Sequence, residues 1–256
     1  MKYLQLHKNK LLICTVMCCA AVFGLTACTH QSSDEISSSA CYVTSTYSDY
    51  YEVSSHSDVI EDSAELAAIE NSYLWGKWER EYLEKKASGE TGDPAIIGAH
   101  FTVDSDYLKK TIQVQSFIDA DPEVAESNAK KILVKKYSLY YQAQEAGVVV
   151  SDEYLDDLIA KNIAMSGESM ENSPQYVSFL DGMGMTNEEY WHSCKDNLRI
   201  TESIAAWEDH IYDEFLKENG YDTDPPKDLG TLWDTYYENL VDEIIAQENI
   251  RYVDIG

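Results

Sequence analysis

The chain has 256 residues, 46 acidic against 19 basic, and a formal net charge of −27. That balance excludes nucleic-acid binding, which needs a basic face against phosphate, and disfavours broad contact with an anionic lipid surface. Hydrophobic residues make up 44%, with 19 Tyr and 5 Trp, so there is ample material for a core.

The first predicted element is a leader. Lys2, Lys8 and Lys10 precede an uncharged apolar run from Leu11 to Leu25, which is short and wrongly flanked for a membrane span. The run ends in "LTAC", Leu25 to Cys28, which resembles the bacterial lipobox. The resemblance implies cleavage before Cys28, lipidation of its thiol, and anchorage on the extracytoplasmic face of a membrane. The competing readings are an ordinary secretory signal or an uncleaved anchor. Cleavage would remove three lysines and no acid, leaving 229 residues at a formal charge of −30. Cys14, Cys18 and Cys19 would leave with the leader. Cys41 and Cys194 then remain; an exported chain allows a disulfide between them, but two cysteines are too few for a framework, and Cys194 is expected as a buried small hydrophobe.

After Cys28, the stretch from Thr29 to Glu61 is rich in Ser, Thr, Tyr and Asp and has no apolar periodicity. It reads as a tether with a span of roughly 30 Å, its tyrosines favouring some docking on the body. The folded body is expected over 62–256 and is expected to be mainly α. A helix over 62–86 carries Leu66, Ile69, Tyr73, Trp78 and Tyr82 at helical spacing. "ASGETGDPAIIG" breaks the chain, and Ala99 to Val103 is a short β-prone run. A helix from Ser105 to Ile118 follows. The next begins at Asp121, a good N-cap, with Pro122 in its first turn, and stops at Gly147. Ser151 caps its successor, so "QAQEAGVVVSDEYLDDLI" forms an elbow whose valines fill the angle between two helices.

A short helix follows Pro174. Thr186 and Glu189 have capping-box spacing. From Asn187 to Asn219 no Pro or Gly interrupts, which predicts a rod of ~45–50 Å. "GYDTDPPKDLG" is a loop, Thr231 to Glu248 a helix with a clean apolar stripe, and Ile250 to Ile255 a terminal strand expected beside the strand near Phe101.

Three segments in this order resemble the N-terminal chaperone region of the SurA/PrsA family of exported foldases. They are the elbow "AKKILVKKYSLYYQAQEAGVVVSDEYLDDLI", the segment "FLDGMGMTNEEYWHSCKDNLRITESI", and the closing "WDTYYENLVDEIIAQENIRYVD". The likeness covers Ala99 to Ile255 and leaves 62–86 outside as an added helix. It implies a SurA-like helical body, related in shape to the trigger-factor arm, with one or two short strands. The isomerase-bearing members carry a parvulin domain between the long helix and the last one. Here only Gly220 to Gly230 lies between them, so the resemblance implies a polypeptide-binding body without isomerase activity. Such foldases are commonly lipid-anchored in Gram-positive cells. The implied partners are unfolded or nascent exported polypeptides; the alternative is a scaffold that binds one specific surface protein.

No Gly-rich phosphate loop, CxxC or GxSxG is present, and neither cofactor nor catalytic constellation is expected. His192 and Cys194 fall on different helix faces. Glu208, Asp209, His210, Asp213 and Glu214 form an acidic run, read as a solvated face before a cation site. Tyr73, Trp78 and Tyr82 are candidates for an aromatic contact strip, against the ordinary reading of a core face. Met165, Met170, Met183 and Met185 are candidates for adaptable peptide contact, against the reading of gap-filling in the core.

Overall fold

The computed structural model describes residues 58–169 and 173–255. Cys28, Cys41, most of the stretch read as a tether, and Met170 lie outside the described residues. The elements run α1 (Asp58–Ser88), β1 (Pro94–Ile97), β2 (Thr102–Asp104), α2 (Ser105–Gln115), α3 (Pro122–Glu145), α4 (Asp152–Ser169), α5 (Pro174–Met183), α6 (Asn187–Ser193), α7 (Lys195–Glu218), α8 (Leu229–Gln247) and β3 (Arg251–Tyr252). The described chain is mainly α, with one small antiparallel sheet of order β2-β1-β3.

Local chemistry sets the helix ends. Asp104 accepts from the Tyr107 N–H at 2.8 Å and starts α2. Asp121 accepts from the Glu123 N–H at 2.9 Å, with Pro122 in the first turn of α3. Thr186 and Glu189 form a full capping box at the start of α6. Gly147, at φ +70°, ends α3 in the left-handed region. The elbow that follows divides its valines. Val148 packs with α7 and α8, Val150 packs with α4 to α6, and Val149 faces outward. The Val150 N–H donates to Ser203 Oγ at 3.1 Å and its carbonyl accepts from Arg199 at 3.1 Å, which ties the corner to α7.

Three apolar clusters hold the body. Leu155, Leu158 and Ile159 of α4 meet Phe179, Met183, Trp191 and Leu198. Leu139 and Ala143 of α3 meet Trp207 and Phe215 of α7 and Trp233, Tyr237, Val241 and Ile244 of α8. Ala95, Ile96 and Val103 of the sheet meet Leu108, Ala129, Leu133 and Val134. Helices α7 and α8 therefore close directly on a common core, through large rings such as Tyr212 and Trp233 with centroids 4.9 Å apart.

Three sequence expectations are corrected. The rod from Asn187 to Asn219 is two helices, because the backbone tightens at Cys194. Its N–H is shared between the Tyr190 and Trp191 carbonyls at 3.1 and 3.3 Å, a mixed α and 3₁₀ turn that no Gly or Pro announces. The stretch around Pro94 is not merely a break but the central strand, since Ala95 and Ile96 are fully buried. The terminal strand pairs with β1, Ile96 opposite Tyr252 and Ile97 opposite Arg251, and not with the strand after Phe101, from which β1 separates it.

The helix read as an addition is built into the body. A Cβ on Gly76 would lie 2.1 Å from the Phe179 carbonyl oxygen, and one on Gly182 would lie 2.1 Å from that of Tyr73. The two glycines let the backbones of α1 and α5 touch at their crossing, a contact any side chain would block.

Candidate functional site

The described residues among those singled out for peptide contact differ in exposure. On α1, Trp78 stacks on Phe117 at 5.1 Å and Tyr82 stacks on Tyr107 at 4.9 Å, both turned into the body. Tyr73 is exposed on another face. Met183 is only 1% exposed and fills the first cluster, with Met185 packed against it. The cause is the glycine crossing beside it: Gly182 draws α5 onto α1 and carries Met183 inward. Of the described methionines named above, Met165 alone is exposed, at 41%.

Tyr82 of α1 joins a polar seam with α2 and α3. The Lys110 ammonium donates to both Glu79 oxygens, at 2.8 and 2.9 Å. It also sits 4.7 Å from the Tyr82 ring centroid and 4.4 Å from that of Tyr107. A cation in this position gains from the ring quadrupoles as well as from the carboxylate. The Tyr82 O–H donates to Asp104 at 3.3 Å. Burial, then the Asp104 carboxylate, push the Tyr82 phenol well above its ordinary range. Burial also raises Tyr107. Both phenols stay protonated; Tyr82 donates to Asp104, and the Tyr107 hydroxyl accepts from the Lys136 ammonium at 3.1 Å, so the seam joins α1, α2 and α3. Nothing in the apolar spacing reveals it, because Lys110 reads as a surface lysine.

A second polar group lies between α3, α7 and α8. Glu208 leaves the acidic run and turns inward, where the Tyr237 O–H donates to its carboxylate. The Lys135 ammonium lies 5.6 Å from the Tyr237 ring centroid. Burial raises the Glu208 carboxyl, with the Tyr237 hydrogen bond and Lys135 opposing it. Burial lowers Lys135, with Glu208, Glu238 and Asp242 opposing it. Opposite movement of two such groups marks many functional sites, but it marks structural ion networks as well. His210 and Glu214, 3.4 Å apart, stay half-exposed on the helix surface. Among the described residues no three His, Cys, Asp or Glu side chains gather as a metal would require.

The sheet end carries the third feature. Glu248 is 1% exposed, and its carboxylate accepts from the His100 backbone N–H at 3.0 Å and contacts His100 Nδ1 at 3.1 Å. The His100 ring stacks on Tyr141 with centroids 3.8 Å apart. This clip fixes the end of α8 against the β1–β2 turn. Asn249, at φ +50°, then reverses the chain into β3, a conformation Asn tolerates better than most residues. Beside β3 lies an open cleft of about 300 Å³ lined by Glu123, Glu126, Ser127, Lys130 and Lys131 of α3 and by Tyr252. Lys130 pairs with Glu126 and stands 5.1 Å from the Tyr252 ring centroid. The cleft is open, and its walls expose more apolar than polar surface, since the stems of the long charged side chains and the Tyr252 ring line it.

No protein-family model, curated protein or solved structure matches this chain. Among the described residues, no helix is long and apolar enough to cross a membrane.

Proposed function

We propose that this protein is a membrane-anchored, extracytoplasmic chaperone-like protein that binds unfolded or nascent exported polypeptides without isomerase chemistry. One observation carries the reading. The three segments that resemble the foldase chaperone region lie in one continuous body, with α3 and the elbow, α7, and α8 sharing cores. The loop between α7 and α8 closes them on each other and on α3, an arrangement in keeping with a chaperone body whose catalytic insert is missing. Membrane anchorage rests on the lipobox-like "LTAC" ending at Cys28. The acidic charge adds a preference for cationic clients.

Aggregation of a chemically unfolded exported client, followed by light scattering with and without the protein, tests the reading. Suppression at near-stoichiometric ratios is expected. Absence of suppression, with a single folded partner recovered after crosslinking in membranes, would replace the chaperone role by the scaffold role.

A further inference from the structure

We infer that the exposed Tyr236 ring on the outer side of the α7–α8 hairpin, with Glu214, Glu218 and Glu243 around it, is a docking site for arginine side chains of a client polypeptide. The inference rests on the polypeptide-binding reading above and supplies its site.

The ring is held by two others. Phe215 of α7 and Trp233 of α8 are buried, and their centroids stand 4.9 and 5.8 Å from that of Tyr236. Tyr236 itself stays 38% exposed, so the core fixes a ring that it does not cover. The carboxylates follow from the same geometry. Glu214 and Glu218 are one turn apart on α7 and flank Phe215, the residue that packs on Tyr236. Glu243 lies two turns past Tyr236 on the same face of α8. All three are exposed. Burial, then Glu218, Glu214 and Glu243, push the Tyr236 phenol up, in keeping with carboxylates from both helices near the ring. Glu214 pairs with the His210 imidazole at 3.4 Å, whereas among the described residues Glu218 and Glu243 have no ion-pair partner.

Charge selects the occupant at the site itself. From Glu208 to Glu243 the chain carries twelve acidic residues against two basic ones, Lys217 and Lys227. An aromatic face with carboxylates beside it recognises a cation. A guanidinium suits it best, because it lies flat on a ring while its N–H groups turn to carboxylate oxygens. One exposed contact of this kind is weak. A polypeptide that offers several arginines along the acidic hairpin gains where a lone cation does not. A second copy is a poor occupant, since Arg80 and Arg199 are already held by Glu84 and Asp152 and only Arg251 remains.

The probe is a fluorescein-labelled peptide of repeated Gly-Ser-Arg, titrated by anisotropy at low salt against the purified full chain in mild detergent. Its counterparts carry lysine or uncharged citrulline in place of arginine. Tyr236→Leu keeps an apolar cover over Phe215 and Trp233 but removes the aromatic face. A double variant, Glu214→Gln with Glu218→Gln, removes two carboxylates. A charge-matched double variant at the exposed Glu65 and Glu90 is the control. Tyr236→Leu is expected to weaken the arginine peptide by about fourfold, and the Glu214/Glu218 variant by about fivefold. The control should change it by no more than about twofold. The lysine peptide should bind more weakly than the arginine peptide, and the citrulline peptide should not bind. Equal affinity for the arginine and citrulline peptides on the unaltered protein overturns the inference, and that comparison needs no variant. Unchanged affinity in Tyr236→Leu overturns it too, as does an equal loss in the control, which would reduce the effect to net charge. Displacement of the peptide by millimolar calcium that binds Tyr236→Leu as tightly would make this an inorganic cation site and overturn it. Sedimentation showing a dimer that Tyr236→Leu dissociates would overturn it in favour of a second copy. The aggregation assay is scored separately. Suppression by the unaltered protein and Tyr236→Leu alike moves the site elsewhere and leaves the chaperone reading standing, whereas no suppression by the unaltered protein removes that reading itself.

Discussion

Lys110 is a buried charge and Glu208 a partly buried one, and their surroundings treat them differently. Lys110 has a two-oxygen carboxylate partner and two ring faces, so its charge is compensated from several directions. Removing it strands Glu79, and breaking a buried pair from one side is costly. Lys110→Met is expected to destabilise by about 3 kcal/mol, and the double change with Glu79→Leu should recover more than half of that, as measured by urea unfolding. Glu208 has a neutral phenol as hydrogen-bond donor and a lysine that is itself desolvated. Its carboxyl is raised in the folded state, so folding favours the protonated form. The stabilising contribution is full below the unfolded pKa and is lost as pH rises toward the raised folded value. Glu208→Gln keeps an acceptor for the Tyr237 O–H and removes the partly buried charge. It should be neutral or stabilising by about 1 kcal/mol at pH 7. The difference in stability between variant and unaltered protein should grow from pH 4 to 7 in urea melts, and a difference that shrinks over that interval would reverse the assignment.

Helix packing depends on two positions that hydropathy treats as blanks. Gly76 and Gly182 set the closest approach of α1 and α5, and neither has a positive φ, so proximity and not conformation requires glycine there. Gly76→Ala or Gly182→Ala forces the helices apart. A loss of about 3 kcal/mol is expected, at the upper end of overpacking costs because the obstruction is backbone. Hydrogen exchange should accelerate across α1 and α5 while α3, α7 and α8 stay protected. Uniform acceleration everywhere would mean that the crossing is no separable unit. The same pair shows what was legible in the sequence. Caps and stops at Asp121, Gly147, Thr186 and Glu189 were readable because each acts through its own neighbours. The apolar stripes of α3 and α8 were readable because burial follows the helical period. What could not be read was tertiary. The tight turn at Cys194 has no local breaker, β1 is short and hides in a Gly/Pro-rich stretch, and Met183 sits beside a glycine contact with a helix more than a hundred positions away. The seam at Lys110 and the inward turn of Glu208 were missed for the same reason, since period alone places both on the polar side.

For the molecule as a whole, 46 acidic against 19 basic residues make self-repulsion a standing term against compactness. Two controls act on it. Salt shortens the screening length from about 30 Å at 0.01 M to about 3 Å at 1 M. The ion pairs it also weakens, such as Lys195–Asp156 and Arg199–Asp152, are largely exposed and contribute little. Added sodium chloride should therefore raise the thermal midpoint, where a protein held together by surface pairs would lose stability. Mild acid acts in the same direction. Between pH 8 and 5 the loss of net negative charge relieves repulsion, and the raised Glu208 carboxyl adds to the gain. The trend must then reverse, because among the described residues three carboxylates are held low in the folded state. Lys85 lowers Asp106, Arg199 lowers Asp152, and the Thr186 N–H lowers Glu189. A group with a depressed folded pKa contributes stability that is present above its unfolded pKa and lost as pH falls through the folded one. Their protonation below about pH 4 opposes the relief of repulsion. The thermal midpoint at low salt should thus peak near pH 5, and the slope from pH 5 to 8 should flatten in 0.5 M sodium chloride. A midpoint that rises with pH over that interval at low salt would mean that attraction among specific charged groups, and not net repulsion, governs the electrostatics of this fold.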